Sequence, residues 1–272
     1  MCLVDVAAGM IHQCTCTAEC GCSGETVAPP PSCPSDTAPK AVDCSDQAQY
    51  CALGSDNTMC KYCGVGPDCN DAVCANELSE KEIKEIVDKH NELRSKVALG
   101  QQAGQPSAAN MNKLAWDPEL ARNAQRWADQ CPDNPPHDPN RKTIKFPIQP
   151  GQNKADSWNS QNDFDWQLST KIQSWYDEVK DFPRGNVKAF SSNGATGVIG
   201  HYTQVVWAET QKVGCGVMYY KDSRPGSASY PYRKTLVCNY YPPGNYLGQP
   251  VYEEGGGTAT ACTNGSENGL CL

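Results

Sequence analysis

Val213-Gly214-Cys215-Gly216-Val217-Met218-Tyr219 is the stretch on which the reading of this chain turns. Val213, Cys215, Val217 and Tyr219 alternate with Gly214, Gly216 and Met218, the period-2 pattern of a strand with two different faces. Leu236, Cys238 and Tyr240 repeat that alternation, and a loop with Pro225, Gly226 and Pro231 separates the two runs, so they read as a hairpin pair. Cys215 and Cys238 then fall on neighbouring strands, where a disulfide is feasible if both side chains face the same way.

Upstream the period becomes helical. Ser79 followed by Glu82 forms a capping box, and behind it Ile83, Ile86, Val87, His90, Leu93 and Val97 lie along one apolar stripe. On that stripe His90 reads as a satisfied core histidine rather than a ligand. Asp117-Pro118 supplies an N-cap with proline at the first helical position, launching Leu120, Ala121, Ala124, Trp127, Ala128 and Cys131 on one face. A third helix is predicted over 164–179, with Leu168, Ile172, Trp175 and Val179 aligned. Helices on either side of a small antiparallel sheet define an α+β fold, an α-β-α sandwich.

Cysteine usage sets the environment. Twelve of the 17 cysteines fall in the first 74 residues and five in the remaining 198, so the front of the chain depends on cross-links and the back on an apolar core. Four segments follow: a cysteine- and proline-rich extension (1–43), a disulfide-stapled cap (44–76), a packed domain (77–248) and a Gly-rich, flexible tail with Cys262 and Cys271 (249–272). Cys60-Lys61-Tyr62-Cys63 with Cys69 and Cys74, and the run from Cys14 to Cys22, have the spacing of metal knuckles, but an oxidising compartment favours disulfides in both. The odd total leaves one thiol free, one pairing with a second chain in a disulfide-linked dimer, or a sequence that is a fragment of its precursor. Asp5 interrupts the first apolar run and no basic residue precedes it, which reads as a start whose secretory leader is absent.

A net charge of −8 and a pI near 5.0 disfavour nucleic acid and anionic membrane surfaces as partners. No apolar run approaches the length of a membrane span. One glycosylation sequon, Asn264-Gly265-Ser266, stands in the tail.

Longer motifs sharpen this reading. Gly200-His201-Tyr202-Thr203-Gln204-Val205-Val206-Trp207-Ala208-Glu209-Thr210 resembles the first signature of the CAP superfamily: cysteine-rich secretory proteins, antigen-5 allergens and plant pathogenesis-related proteins. Leu236-Val237-Cys238-Asn239-Tyr240-Tyr241-Pro242-Pro243-Gly244-Asn245-Tyr246 resembles the second. His90-Asn91-Glu92-Leu93-Arg94 and Trp127-Ala128-Asp129-Gln130-Cys131 are similar to its early helices, and the cysteine cluster from Tyr50 to Cys69 is similar to the pre-domain cap of arthropod venom allergens. The resemblance spans roughly residues 44–248, and it implies Cys69–Cys131 and Cys215–Cys238 disulfides.

It also implies a cleft with two histidines and two acidic residues. His201 matches one histidine, His137 the other, and Glu178 one glutamate. The second acidic position, ordinarily in a Gly-Glu-Asn segment, is Gln152 here, in Gly151-Gln152-Asn153. Two neutral imidazoles, His137 and His201, with a carboxylate nearby suit a divalent cation such as zinc, or proton transfer near neutral pH. A hydrolase would need more, and no serine in a nucleophile elbow and no His-Glu-x-x-His motif occurs. A buried hydrogen-bond network without chemistry is the plainer reading.

Function is therefore expected to be non-catalytic, with no cofactor required: a secreted, extracellular binder of a small hydrophobic ligand or a protein target. Trp158, Trp166, Trp175 and Tyr176 cluster around the third helix, as core packing or, for Trp166, Trp175 and Tyr176, as walls of a lipid groove. The alternatives are an effector acting on ion channels or host defence, an extracellular matrix component, and a weak metal-dependent hydrolase.

Overall fold

The computed structural model describes residues 43–69, 71–72, 77–131, 137–161, 167–255 and 259–272. The extension over residues 1–42, Cys74 and Trp166 lie outside the described residues. Six helices occur among those described: α1 (Gln47–Cys51), α2 (Thr58–Lys61), α3 (Glu80–Ala98), α4 (Pro118–Ala128), α5 (Leu168–Tyr176) and α6 (Gly200–Val205). The strands are β1 (Asp71–Ala72), β2 (Ala115–Trp116), β3 (Gly151–Asn159), β4 (Lys212–Lys221), β5 (Tyr232–Tyr241), β6 (Ser266–Glu267) and β7 (Leu270–Cys271).

The main sheet runs β1-β4-β5-β3, antiparallel at each step, and β2 adds to β4 in parallel. Register follows the alternation. Cys215 stands directly opposite Cys238, their Cα atoms 4.0 Å apart, and the two are bridged. Val213, Val217, Tyr219, Leu236 and Tyr240 point to the same face as that bridge, into a core shared with α3, α5 and α6. Met218, Tyr220 and Val237 point the other way, against Ala124, Trp127 and Ala128 of α4. The result is an α-β-α sandwich.

Two glycines set how closely α4 approaches the sheet. A Cβ on Gly214 would stand 2.3 Å from the Ala121 nitrogen, and one on Gly216 would stand 2.3 Å from the Gln125 Cα. No side chain fits there, so α4 rests directly on the β4 backbone. This proximity lets the Gln125 amide act as a strand substitute. Its Nε2 donates to the Val217 carbonyl (2.8 Å) and its Oε1 accepts from the Val217 N–H (2.9 Å). Those β4 groups lie on the edge between the short stretches covered by β1 and β2.

The helix starts follow local rules. Ser79 and Glu82 form the reciprocal capping box of α3, and the Asp117 carboxylate accepts from the Glu119 and Leu120 N–H groups at the start of α4. The third helix is shorter than its periodicity suggests. The α-helix ends at Tyr176 and tightens into a 3-10 turn over Asp177–Asp181, which leaves Val179 only partly buried.

Three polar residues of α3 tie it to the rest of the core. His90 is fully buried, its Nδ1 2.8 Å from the Ile86 carbonyl and its Nε2 2.8 Å from the Tyr240 hydroxyl. A carbonyl only accepts, so Nδ1 carries the proton and Nε2 receives the Tyr240 O–H. Burial lowers the His90 pKa to about 4. Asn91 pairs with both main-chain groups of Leu114. The Arg94 guanidinium, fully buried, donates to the carbonyls of Asn112, Val205, Trp207, Ala208 and Thr210. Burial lowers its pKa to about 9.

The ten described cysteines form five disulfides, so the Cys60–Cys63 stretch is bridged and holds no metal knuckle: Cys44–Cys63, Cys51–Cys60, Cys69–Cys131, Cys215–Cys238 and Cys262–Cys271. The cap, carrying α1 and α2, lies over the outer face of α4. Tyr50 donates to Glu119 (2.8 Å), Arg126 donates to the Tyr62 carbonyl, and Cys69–Cys131 fastens the two covalently.

Residues 259–272 depart from the flexible tail expected there. Residues 259–272 fold into the β6–β7 hairpin, closed by Cys262–Cys271 and docked on the loop after α3. Main-chain bonds link Ala261 to Ala109, Cys271 to Met111 and Lys113 to Cys271, and Leu270 enters the principal core. Val251 and Tyr252, also past residue 248, are buried there too. Paired backbone and a covalent staple fix this stretch.

Candidate functional site

Glu178 lies in the 3-10 turn after α5 and meets the N-terminus of α6. Its Oε1 is 2.6 Å from His201 Nδ1, while its Oε2 accepts the main-chain N–H groups of His201 (3.0 Å) and Tyr202 (3.2 Å). Three donors thus converge on one carboxylate. With Nδ1 facing Glu178, His201 leaves Nε2 to the cleft. The Trp175 ring stacks on the imidazole, centroids 6.1 Å apart and planes 15° apart, and its Nε1 donates to the Lys154 carbonyl (3.1 Å). Asn153 Nδ2 donates to the His201 carbonyl (3.1 Å). His201 is held on every side but the open one.

The second pair forms on β3. Gln152 Oε1 accepts the Asp138 N–H (2.9 Å) and lies 3.1 Å from His137 Nδ1; its Nε2 donates to Asn239 Oδ1 (2.9 Å). Asn239 in turn donates to Asn123 on α4 (2.8 Å). The Asp138 N–H can only donate, which fixes the Gln152 oxygen towards His137 and makes Nδ1 the protonated nitrogen there as well. His137 therefore also presents Nε2. Partial burial lowers its pKa, the Gln152 hydrogen bond opposes that, and the charges of Arg141, His201 and Lys154 add to the lowering. His137 is solvent-exposed and, with its pKa lowered, stays neutral near pH 7.

The structure thus brings His201 to Glu178 and His137 to Gln152. Among the described residues no group of three or more His, Cys, Asp or Glu side chains is gathered around one point. Gln152 and Glu178 hold the two Nδ1 atoms, which leaves Nε2 as the remaining nitrogen of each ring. Gln152 and Glu178 act behind them, each orienting one ring.

Trp175 and Tyr176 are 3% and 1% exposed, and Tyr176 donates to Gln102. Both pack in the core rather than facing an open groove, while Trp158 is exposed at the end of β3. A groove of about 520 Å³ does run between α3 and α5, but Glu85, Asp88, Lys89 and Glu92 line it, which does not suit an acyl chain.

Two residues that sequence reasoning passed over complete the site. Asn153, next to Gln152, links the His201 carbonyl to the Tyr240 hydroxyl and so to His90. Asp138, next to His137, is fully buried and accepts from Thr58 of the cap (2.6 Å) and from the Asn140 N–H (3.0 Å); burial raises its pKa. The cap is therefore coupled to the segment that carries His137. Only the adjacency of these residues to the cleft pairs signals them in the sequence.

A three-layer α-β-α scaffold, disulfide-stapled and carrying two imidazoles each oriented by a neighbouring side chain, is the class of protein that this fold and site define. Comparison places it further. The family described as "CAP: Cysteine-rich secretory protein family" matches residues 87–240. The chain is 40% identical over 209 residues to venom allergen 5 of Rhynchium brunneum, covering 75% of this chain and 83% of that protein. It is 41% identical over 216 residues to scoloptoxin SSD976 of Scolopendra dehaani, covering 78% and 93%. The crystal structure of NaASP2 with Zn2+ is similar at a TM-score of 0.55 and 30% identity, covering 72% of this chain and 97% of that one. The chain belongs to the CAP family, as an antigen-5-like member.

Proposed function

We propose that this is a secreted, non-catalytic binding protein whose cleft holds a divalent cation between His137 and His201. The commitment of Glu178 supports this reading most directly. It is the carboxylate at the cleft, and three donors occupy it, so it orients His201 instead of waiting as a general base. Gln152, where an acid would offer a second base, is an amide with both ends engaged.

The residues fit an imidazole-loving cation such as zinc, with water filling the remaining positions. Such an ion would supply a fixed positive charge at the mouth of a chain whose formal net charge is −8, and with it a contact for an anionic group on a partner. Two protein ligands make for weaker holding than the three or four of dedicated zinc sites. A zinc-bearing structural relative is consistent with this choice of ion. An extracellular location accords with five disulfides and with relatives from venoms; no described helix is long and apolar enough to cross a membrane.

Isothermal titration of the purified chain with zinc chloride tests the cation site. Binding at one ion per chain is expected, weakened at least about tenfold (roughly 1.4 kcal/mol) in His201→Ala. Peptide and ester substrate panels test the absence of catalysis. A turnover present in the wild type and abolished in a folded His201→Ala variant would overturn the non-catalytic reading.

A further inference from the structure

The structure assigns Asn264 as an N-glycosylation site: we propose that the secreted protein carries an oligosaccharide there, on the stapled C-terminal hairpin. Asn264-Gly265-Ser266 is the one Asn-x-Ser/Thr sequence in the chain with x other than proline. Its placement meets what a transferase requires. Asn264, Gly265 and Ser266 are all exposed, and Gly265 adopts a φ of +93° just before β6 begins at Ser266. The hairpin docks through main-chain bonds of Cys271 and Ala261 and the buried Leu270, and none of the three sequon residues is buried in that contact.

The chemistry is a group transfer. The Asn264 amide nitrogen forms a bond to the anomeric carbon of an oligosaccharide held on a lipid pyrophosphate, the carbon–oxygen bond to that pyrophosphate breaks, and the amide gives up one proton. The co-substrate is thus a lipid-linked oligosaccharide, available only on a secretory route, which the disulfides independently indicate.

Position gives the glycan a consequence. Asn264 and Thr263 form part of the wall of a cleft of about 700 Å³ between the hairpin and segments 110–115 and 209–212. A glycan rooted in that wall screens this face from protein partners, whereas His137 and His201 are not among the residues lining it.

Full-length protein secreted from insect cells tests the proposal. Intact mass and the C-terminal peptide, before and after treatment with an amidase that removes N-glycans, should show hexosamine-bearing mass on Asn264 and its conversion to Asp on release. Asn264→Gln and, independently, Ser266→Ala should each abolish the whole glycan mass, since no second sequon exists. An unmodified or merely deamidated Asn264 in the secreted protein, with another glycoprotein from the same culture modified, would overturn it. So would glycan mass that persists in both variants.

Discussion

Acid should weaken this protein through His90, a residue fully removed from solvent. In the folded chain its ring is neutral, with a pKa lowered from 6.5 to about 4 by burial. As pH falls, the unfolded chain takes up the proton first, so stability that is fully present above pH 6.5 declines from there towards pH 4. The lowering corresponds to about 3 kcal/mol when complete, with roughly 2 kcal/mol already gone at pH 5. Urea unfolding with disulfides intact, followed by tryptophan fluorescence at several pH values, measures the slope. Other groups titrate in the same range, so the informative quantity is a difference. His90→Gln keeps a donor and an acceptor beside Ile86 and Tyr240 but cannot titrate, and its stability should fall less by about 2 kcal/mol between pH 7 and pH 5. Parallel pH dependences for the two proteins would refute the assignment of this loss to His90.

Arg94→Met should be among the most damaging single changes, because it takes the buried guanidinium donor away from five carbonyls, of which Trp207 and Ala208 keep other donors; a loss of about 3–5 kcal/mol is expected in chemical denaturation. Gly216→Ala should cost about 1–3 kcal/mol by lifting α4 from β4, and amide exchange at Val217 should rise as its pairing with Gln125 loosens.

The sequence exposed the central strands and the two main helices because each carries its own local signal. Alternation marks β4 and β5, a capping box marks α3, and Asp117-Pro118 marks α4. β3 was hidden for a physical reason. Gly151–Asn159 is polar and poor in branched side chains, and becomes a strand through nine residue pairs with β5, which are tertiary contacts. The hairpin at the end of the chain was hidden likewise, its order coming from a staple and from main-chain bonds to residues some 150 positions earlier. At the cleft, residue identities were legible through family motifs. The tautomers were not, since they depend on Asp138, Asn239 and the turn after Tyr176, which only the folded backbone brings into reach.

The order of strands in the main sheet bears on how the chain matures. β5, which lies between β4 and β3, ends only at Tyr241, and the closing hairpin comes later still. A chain entering the secretory lumen from its N-terminus therefore exposes the apolar stripes of α3 and α4 well before the surface that covers them has been made. Cys69 and Cys131 emerge in that interval, with thiols unprotected and other partners in reach. Yield in secretion should therefore depend on isomerase and chaperone capacity more than on the stability of the finished molecule.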